Sequence, residues 1–279
     1  MAFTLRFNGS LISLDQPLVM GIMNLTPDSF HAGSRQASVD AALHTAEAML
    51  RDGATFLDVG GQSTRPGAER IDAETEAARV IPVIDALARR FPKTCISIDT
   101  FYGDVARRAA DAGARMINDV SAFRFDLDLL QAVVELQLPY VLMHMQGEPA
   151  TMQLKPSYTD VVGEVFSFFS THIQVLSKAG VSDIILDPGF GFGKTTAHNF
   201  ELLRRLRELQ AFELPILAGI SRKGMIWKSL NISPDQALNG STVAHVLALQ
   251  NGARILRVHD VKPAVEAIAI LQQVNTFSA

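Results

Sequence analysis

The stretch LVMGIMNLTPDSFHAGSRQASVDAALHTAEAMLRDGATFLDVG, residues 18–60, reads as strand, loop, helix and strand. LVMGIMN (18–24) and TFLDVG (55–60) are short apolar runs, while SVDAALHTAEAMLRDGA (38–54) spaces its apolar residues at helical intervals. Gly53 stands where such a helix would stop before the next strand. The unit recurs along the chain. Further strand runs are CISID (95–99), RMINDV (115–120), YVLMH (140–144), IILD (184–187), PILAGI (215–220) and RILRVH (254–259). Ala-Gly-Ala at 112–114 and Asn-Gly-Ala at 251–253 repeat the stop signal of 52–54, and PAVEAIAILQQV (263–274) reads as a closing helix. Eight strands alternating with helices predict an α/β chain, a (β/α)8 TIM barrel forming one domain over residues 1–279. Residues 3–14 alternate well enough for a short hairpin beneath the barrel. Periodicity alone does not show closure, so a doubly wound open sheet stands as the competing architecture.

Composition narrows the function. The 279 residues are 48% hydrophobic, enough for one large core, and carry a formal charge of −4. That charge and the lack of any Lys/Arg-rich run give no field for a nucleic-acid backbone. An anionic substrate would need a focused cluster of cations. Cys95 is the only cysteine, which rules out an intrachain disulfide and fits a reduced, cytoplasmic setting. The N-terminal MAFTLRFNGSLISLDQP lacks the apolar core of a signal peptide, and no run reaches the roughly 18 apolar residues of a membrane span.

Polar residues collect at the ends of the strand runs: Asn24, Asp58, Asp99, Asn118, His144, Asp187, Ser221, Arg257 and His259. In a barrel these ends form the C-terminal mouth, where active sites are built. Any strand must end on something polar, so one Asp would mean little. Three of these strands also run straight into Gly/Pro-rich loops, NLTPDSF (24–30), GGQSTRPGA (60–68) and DPGFGFGKT (187–195), which a plain connection does not require. GFGFGKT invites a nucleotide-binding reading that fails on counting. A phosphate loop would need Gly at the position of Pro188 and a helix sooner than the pattern near His198, and the dinucleotide pattern would need Gly at the position of Lys194.

Thr64, Arg65, Arg257 and His259 make a better-founded anion site, since Arg offers a planar fork to phosphate oxygens. In Ser221-Arg222-Lys223, Arg222 reads as a solvated surface charge and Lys223 as a cation reaching inward. Asp99, Asn118 and Asp187 supply donors and acceptors suited to a flat heterocycle with amide and amino edges. Plainer readings hold elsewhere. Cys95 reads as a packed core residue, and His44, His172 and His245 as structural or solvated helix residues. Phe190 has no obvious core to join from its Gly-rich loop. Met143 and Met145, flanking His144, suit either core packing or the floor of a ring pocket.

Eight ordered blocks, MGIMNLTPDSF (20–30), GATFLDVGGQSTRPGA (53–68), SIDT (97–100), INDVSA (117–122), LMHMQGEPATMQ (142–153), ILDPGFGFGKT (185–195), GISRKGMI (219–226) and RVHDV (257–261), resemble the dihydropteroate synthases over nearly the whole chain. The resemblance implies a transferase of folate biosynthesis. It would condense 6-hydroxymethyl-7,8-dihydropterin pyrophosphate with p-aminobenzoate to give 7,8-dihydropteroate and pyrophosphate, and it would be a target of sulfonamides. The resemblance places the pterin ring at Asp99, Asn118, Asp187 and Lys223. Pyrophosphate falls to Asn24, Thr64, Arg257 and His259, with Mg2+ near Asn24, and aminobenzoate to Thr64, Pro66, Phe190, Ser221 and Lys223. Arg65 lies in the second of two loops that fold over the reactants, and Asp99, Asp187, Lys223, Arg257, Thr64 and Arg65 carry catalysis in this picture. A homodimer is implied as well. Two positions depart from the family pattern: Ala32 and Gln62 stand where the first and second loops commonly carry an acidic residue. Two rivals remain, a pterin-binding methyltransferase barrel and a catalytically silent homologue. The first has no use for the Ser-Thr-Arg-Pro-Gly loop or the Arg-x-His pair.

Overall fold

In a computed structural model describing residues 3–25, 35–62 and 69–276, the chain opens with an antiparallel hairpin, β1 (Thr4–Phe7) and β2 (Ser10–Ser13). There follow β3 (Leu18–Asn24), α1 (Arg35–Arg51), β4 (Phe56–Gly60), α2 (Ala73–Arg90), β5 (Cys95–Asp99), α3 (Gly103–Ala112), β6 (Met116–Asp119) and α4 (Asp128–Leu136). The second half continues with β7 (Tyr140–Met143), α5 (Val161–Lys178), β8 (Ile184–Asp187), α6 (Thr196–Arg204), β9 (Ile216–Ala218), α7 (Gly224–Leu230), α8 (Leu238–Gln250), β10 (Ala253–Val258) and α9 (Val261–Thr276). β3 to β10 are all parallel, and β10 pairs with β3, Arg257 opposite Met20, so the sheet closes. The open-sheet alternative is excluded.

Closure divides every strand into an inner and an outer set of side chains, because neighbours along a strand point to opposite faces. Met20, Phe56, Cys95, Met116, Val141, Ile185, Leu217 and Ile255, one from each strand of the barrel, form a single buried cluster with Leu5 and Leu14 of the N-terminal segment. They fill the lower barrel, and the hairpin plugs it. Ionic and polar contacts hold the plug: Arg6 to Asp183, Asn8 to Arg115, and the Asp15 carbonyl to Arg254. The alternate residues pack outward against the helices in a second, larger core. The expected helix stops are present. Gly53, Gly113 and Gly252 follow α1, α3 and α8 with φ of 102°, 116° and 99°. At Gly113 a Cβ would also lie 2.5 Å from the Ala88 methyl, so only glycine fits between α2 and α3.

Several boundaries differ from the sequence reading. RMINDV shortens to Met116–Asp119, PILAGI to Ile216–Ala218, and YVLMH ends at Met143. The ladder stops where the chain turns into the mouth loops, so His144 lies beyond the pairing while Asp119 still pairs with Leu142. The first helix spans Arg35–Arg51, earlier than 38–54 at both ends.

Candidate active site

Parity fixes what reaches the mouth. Two residues above the plug layer stand Asp58, Ser97, Asn118, Asp187 and Arg257, the next inward positions on β4 and β5 are Gly60 and Asp99, and His259 follows directly on the end of β10. Asp58 Oδ2 accepts from Arg257 Nε at 2.6 Å and from Asn118 Nδ2 at 2.9 Å. Arg257 also donates through Nη2 to Asp99 Oδ2 at 2.7 Å. One buried cluster therefore ties β4, β5, β6 and β10 together across the barrel. Burial raises the Asp99 carboxyl above its ordinary range; Asp58, Glu76 and Asp119 add to this, and Arg257 opposes it without prevailing.

Asp187 and Lys223 build the opposite wall. Asp187 Oδ1 accepts from Gly189 N at 2.8 Å, and burial raises this carboxyl also, against the pull of Lys223. Lys223, the residue before α7, turns inward and donates to the Phe190 carbonyl, with Nζ 4.4 Å from the centre of the Phe192 ring. Burial lowers its ammonium to about 8. Gly219 leaves the floor between them open, since a Cβ there would lie 3.7 Å from Asp187 Oδ2 and 3.8 Å from Lys223 Nζ. Phe101, Val120, Met143, Met145, Met152 and Phe192 give the mouth an apolar rim. A flat ring would meet polar edges at Asn118, Asp187 and Lys223 and apolar surface around them.

His259 lies beside Ser221: its backbone N donates to Ser221 Oγ at 3.2 Å, and Nδ1 pairs with the same oxygen at 3.1 Å. Burial, with Arg257 next, lowers its imidazole to about 4. Asn24 ends β3, half-buried, opposite Gly60.

Four readings need correction. His144 does not enter the mouth; on β7 the inward residue is Met143, and the imidazole packs outward, edge-on to Phe168. Phe190 does have a core to join, for its ring is fully buried in the outer core and only its carbonyl serves Lys223. Arg222 is no solvated charge: it adopts φ 54°, bonds Asp260 through two nitrogens at 2.7 and 2.8 Å, and holds the Pro234 and Asp235 carbonyls. The α6 helix begins at Thr196, directly after GFGFGKT and sooner than the sequence pattern suggests. Even so, Lys194 is buried among carbonyl oxygens, so the loop is no phosphate cradle. Cys95 is packed as expected, its thiol pushed up to about 12 by burial.

Thr64, Arg65, Pro66 and Ala32 lie outside the described residues. Gln62 lies within them and has a definite part: Nε2 donates to the Glu69 carbonyl and Oε1 accepts from Ile71 N, both at 3.0 Å. An acidic residue could make only the second of these bonds. The reading of candidate residues also passed over Glu76, Lys194 and Phe192. Glu76 is wholly buried on α2, where Oε2 accepts from Thr100 Oγ1 at 2.7 Å and Oε1 has no partner among the described residues. Burial raises its carboxyl to about 7.

Residues 20–259 match the family model described as pterin binding enzyme. The dihydropteroate synthase of Escherichia coli K12 is 47% identical over 266 residues, which cover 95% of this chain and 94% of that protein. The Yersinia pestis dihydropteroate synthase, solved with a sulfonamide drug, is 45% identical with a TM-score of 0.92, covering 99% of this chain and 100% of that one. The Xanthomonas albilineans enzyme, solved with 4-aminobenzoic acid, is 44% identical with a TM-score of 0.92, covering 99% of each chain. The chain belongs to the dihydropteroate synthase family of pterin-binding enzymes.

Proposed function

We propose that this barrel condenses 6-hydroxymethyl-7,8-dihydropterin pyrophosphate with p-aminobenzoate, releasing 7,8-dihydropteroate and pyrophosphate for folate biosynthesis. The observation that carries this reading is the pairing of two unlike walls in one mouth. Asp99, Asn118, Asp187 and Lys223 suit the pterin ring, while Arg257 and His259 stand at the rim for its pyrophosphate. Arg257 has five N–H donors and spends two on Asp58 and Asp99, so three remain for phosphate oxygens. The C–O bond to pyrophosphate breaks with its electron pair leaving on oxygen. The resulting cation is conjugated through the dihydropterin, and the buried carboxylates offset its charge. The amine of p-aminobenzoate is neutral near pH 7 and attacks the methylene without a strong base, and its proton then passes to the released pyrophosphate or to water.

In this reading Ser221 and Lys223 orient p-aminobenzoate, with Thr64, Arg65 and Pro66 contributing from the second loop. Phe190 contributes through its carbonyl rather than its ring. The complexes of relatives with 4-aminobenzoic acid and a sulfonamide support this half of the site and competition by sulfonamides for it. Mg2+ fits at Asn24 in a limited sense. No group of three His, Cys, Asp or Glu side chains is placed to hold a metal among the described residues, so Asn24 would give one neutral oxygen. That suits an ion that keeps most of its waters and takes its other ligands from phosphate. Bound there, it would neutralise the leaving pyrophosphate.

Pyrophosphate release from the dihydropterin pyrophosphate, followed with and without p-aminobenzoate and with and without Mg2+, tests the assignment. Release that depends on both organic substrates is expected, and none under any condition would overturn it in favour of a silent homologue. We further propose a homodimer in the cytoplasm. Among the described residues no helix is long and apolar enough to cross a membrane, and Val243 and Leu247, one turn apart on α8, join Phe200 and Leu230 as exposed apolar side chains on neighbouring helices. Sedimentation velocity should give twice the chain mass, shifting to the monomer in Val243→Glu; a monomeric wild type removes the dimer.

A further inference from the structure

Lys194 is the one charged residue of GFGFGKT, and the chemistry above leaves it without a task. Its ammonium is wholly buried, 2% exposed, and turns away from the mouth. Nζ lies 2.9 Å from His144 Nδ1, 3.0 Å from the Gly189 carbonyl and 3.2 Å from the Phe192 carbonyl, with the His144 carbonyl farther off at 3.4 Å. Burial lowers the Lys194 ammonium to about 7, and in its charged form three protons meet three close acceptors. His144 suits that part, because burial, then Lys194, lowers its imidazole to about 2, so the neutral ring can present Nδ1 as an acceptor. All these partner atoms belong to two pieces of chain, the end of β7 and the loop after β8.

That loop shapes the ring pocket. Gly189 N holds Asp187 Oδ1, the Phe190 carbonyl takes the Lys223 ammonium, and the Phe192 ring lies beneath it. The loop rests directly on the end of β7: at Gly189, φ 70°, a Cβ would lie 1.9 Å from the His144 carbonyl oxygen. Among the described residues it is also anchored from outside, by Asn199 to Gly191 N, Gln153 to the Gly191 carbonyl and Tyr158 to the Gly193 carbonyl. Lys194 grips it from within, at Gly189 and Phe192, on either side of the carbonyl that Lys223 uses, and so reinforces the loop's own bond from Phe192 N to the Gly189 carbonyl at 3.1 Å.

We propose that Lys194 is a positioning residue of the ring pocket, a buried staple that fixes the loop after β8 to β7 and so sets Lys223 against the pterin. It binds no anion and touches no reacting atom. This rests on the reading that the pterin ring meets Asp187 and Lys223. A residue that acts through Lys223 loses its effect once Lys223 is gone, whereas one that only supports the fold costs the same in either background. The test is a double-mutant cycle of Lys194→Met and Lys223→Met, with affinity for a hydroxymethylpterin measured by calorimetry and turnover beside it. Lys194→Met should weaken the pterin by about tenfold in the wild-type background and by less than about twofold in Lys223→Met. Equal losses in both backgrounds, or none in the first, overturn the proposal while leaving the ring-pocket reading standing. Full pterin affinity in Lys223→Met alone overturns both. If Lys194→Met does not fold, His144→Phe, which removes one acceptor and keeps the charge, completes the same cycle with the same two outcomes.

Discussion

Asp58 Oδ2 serves two donors at once, Arg257 Nε and Asn118 Nδ2, and so links the group assigned to pyrophosphate with one assigned to the ring. Asp58→Asn keeps the shape but brings an NH2 group among donors and removes the charge beside Arg257. The expected result is a loss of pterin affinity of about tenfold by calorimetry. Unchanged affinity would mean that Arg257 and Asn118 hold their places unaided. Glu76 gives a different kind of prediction. Its folded carboxyl titrates at about 7 against an ordinary 4.5, so between these values the native state binds more protons than the unfolded one. Stability falls as pH rises through that window, by on the order of 3 kcal/mol once Glu76 is ionised. Glu76→Gln keeps an oxygen for Thr100 and removes the titration, so its advantage in melting temperature should be small at pH 5 and large at pH 8. A difference independent of pH would show that burial is not holding the proton.

At the scale of the element, legibility depends on whether a residue's partner lies nearby in sequence. Strand parity is local, and counting by twos from Phe56, Cys95, Met116, Ile185 and Ile255 reaches Asp58, Asp99, Asn118, Asp187 and Arg257 without any structure. The same count, applied to β7, would have chosen Met143 over His144. The reading of strand ends as a set hid that distinction, because it took the last polar residue of each run as facing the mouth. The glycine stops after α1, α3 and α8 were legible for the same reason, being a demand of the local backbone. Lys194 and Glu76 were not. Their side-chain partners, His144 at the end of β7 and Thr100 after β5, lie 50 and 24 residues away, and nothing near them in sequence marks them as buried. Arg222 misled in the opposite direction: a loop cation looks solvated until Asp260, 38 residues on, is brought beside it.

The whole molecule separates stability from chemistry along the barrel axis. The hairpin end is closed by apolar packing, with Leu5 and Leu14 set into the ring of eight strand residues, and the mouth end by the polar cluster around Arg257. Leu14 has no exposed surface, so Leu14→Ala leaves a cavity that the surrounding strands, held in a closed ladder, can fill only in part. The expected loss is roughly 2–5 kcal/mol. For a chain of this length that lowers Tm by about 5 °C or more. Two layers of side chains stand between this site and the reacting groups: the plug ring itself, then Asp58, Asn118, Asp187 and Arg257. The second layer is fixed by hydrogen bonds whose partners all lie within it or above it. The ring should absorb the defect, leaving KM for both substrates and kcat at 25 °C within about twofold of wild type, as barrels that keep stability at one face and catalysis at the other require. Thermal melting and steady-state kinetics on the same preparation decide the matter. A fall in kcat that tracks the fall in Tm would mean that the plug layer sets the positions of Asp58 and Arg257, and that the two ends of this barrel are mechanically one.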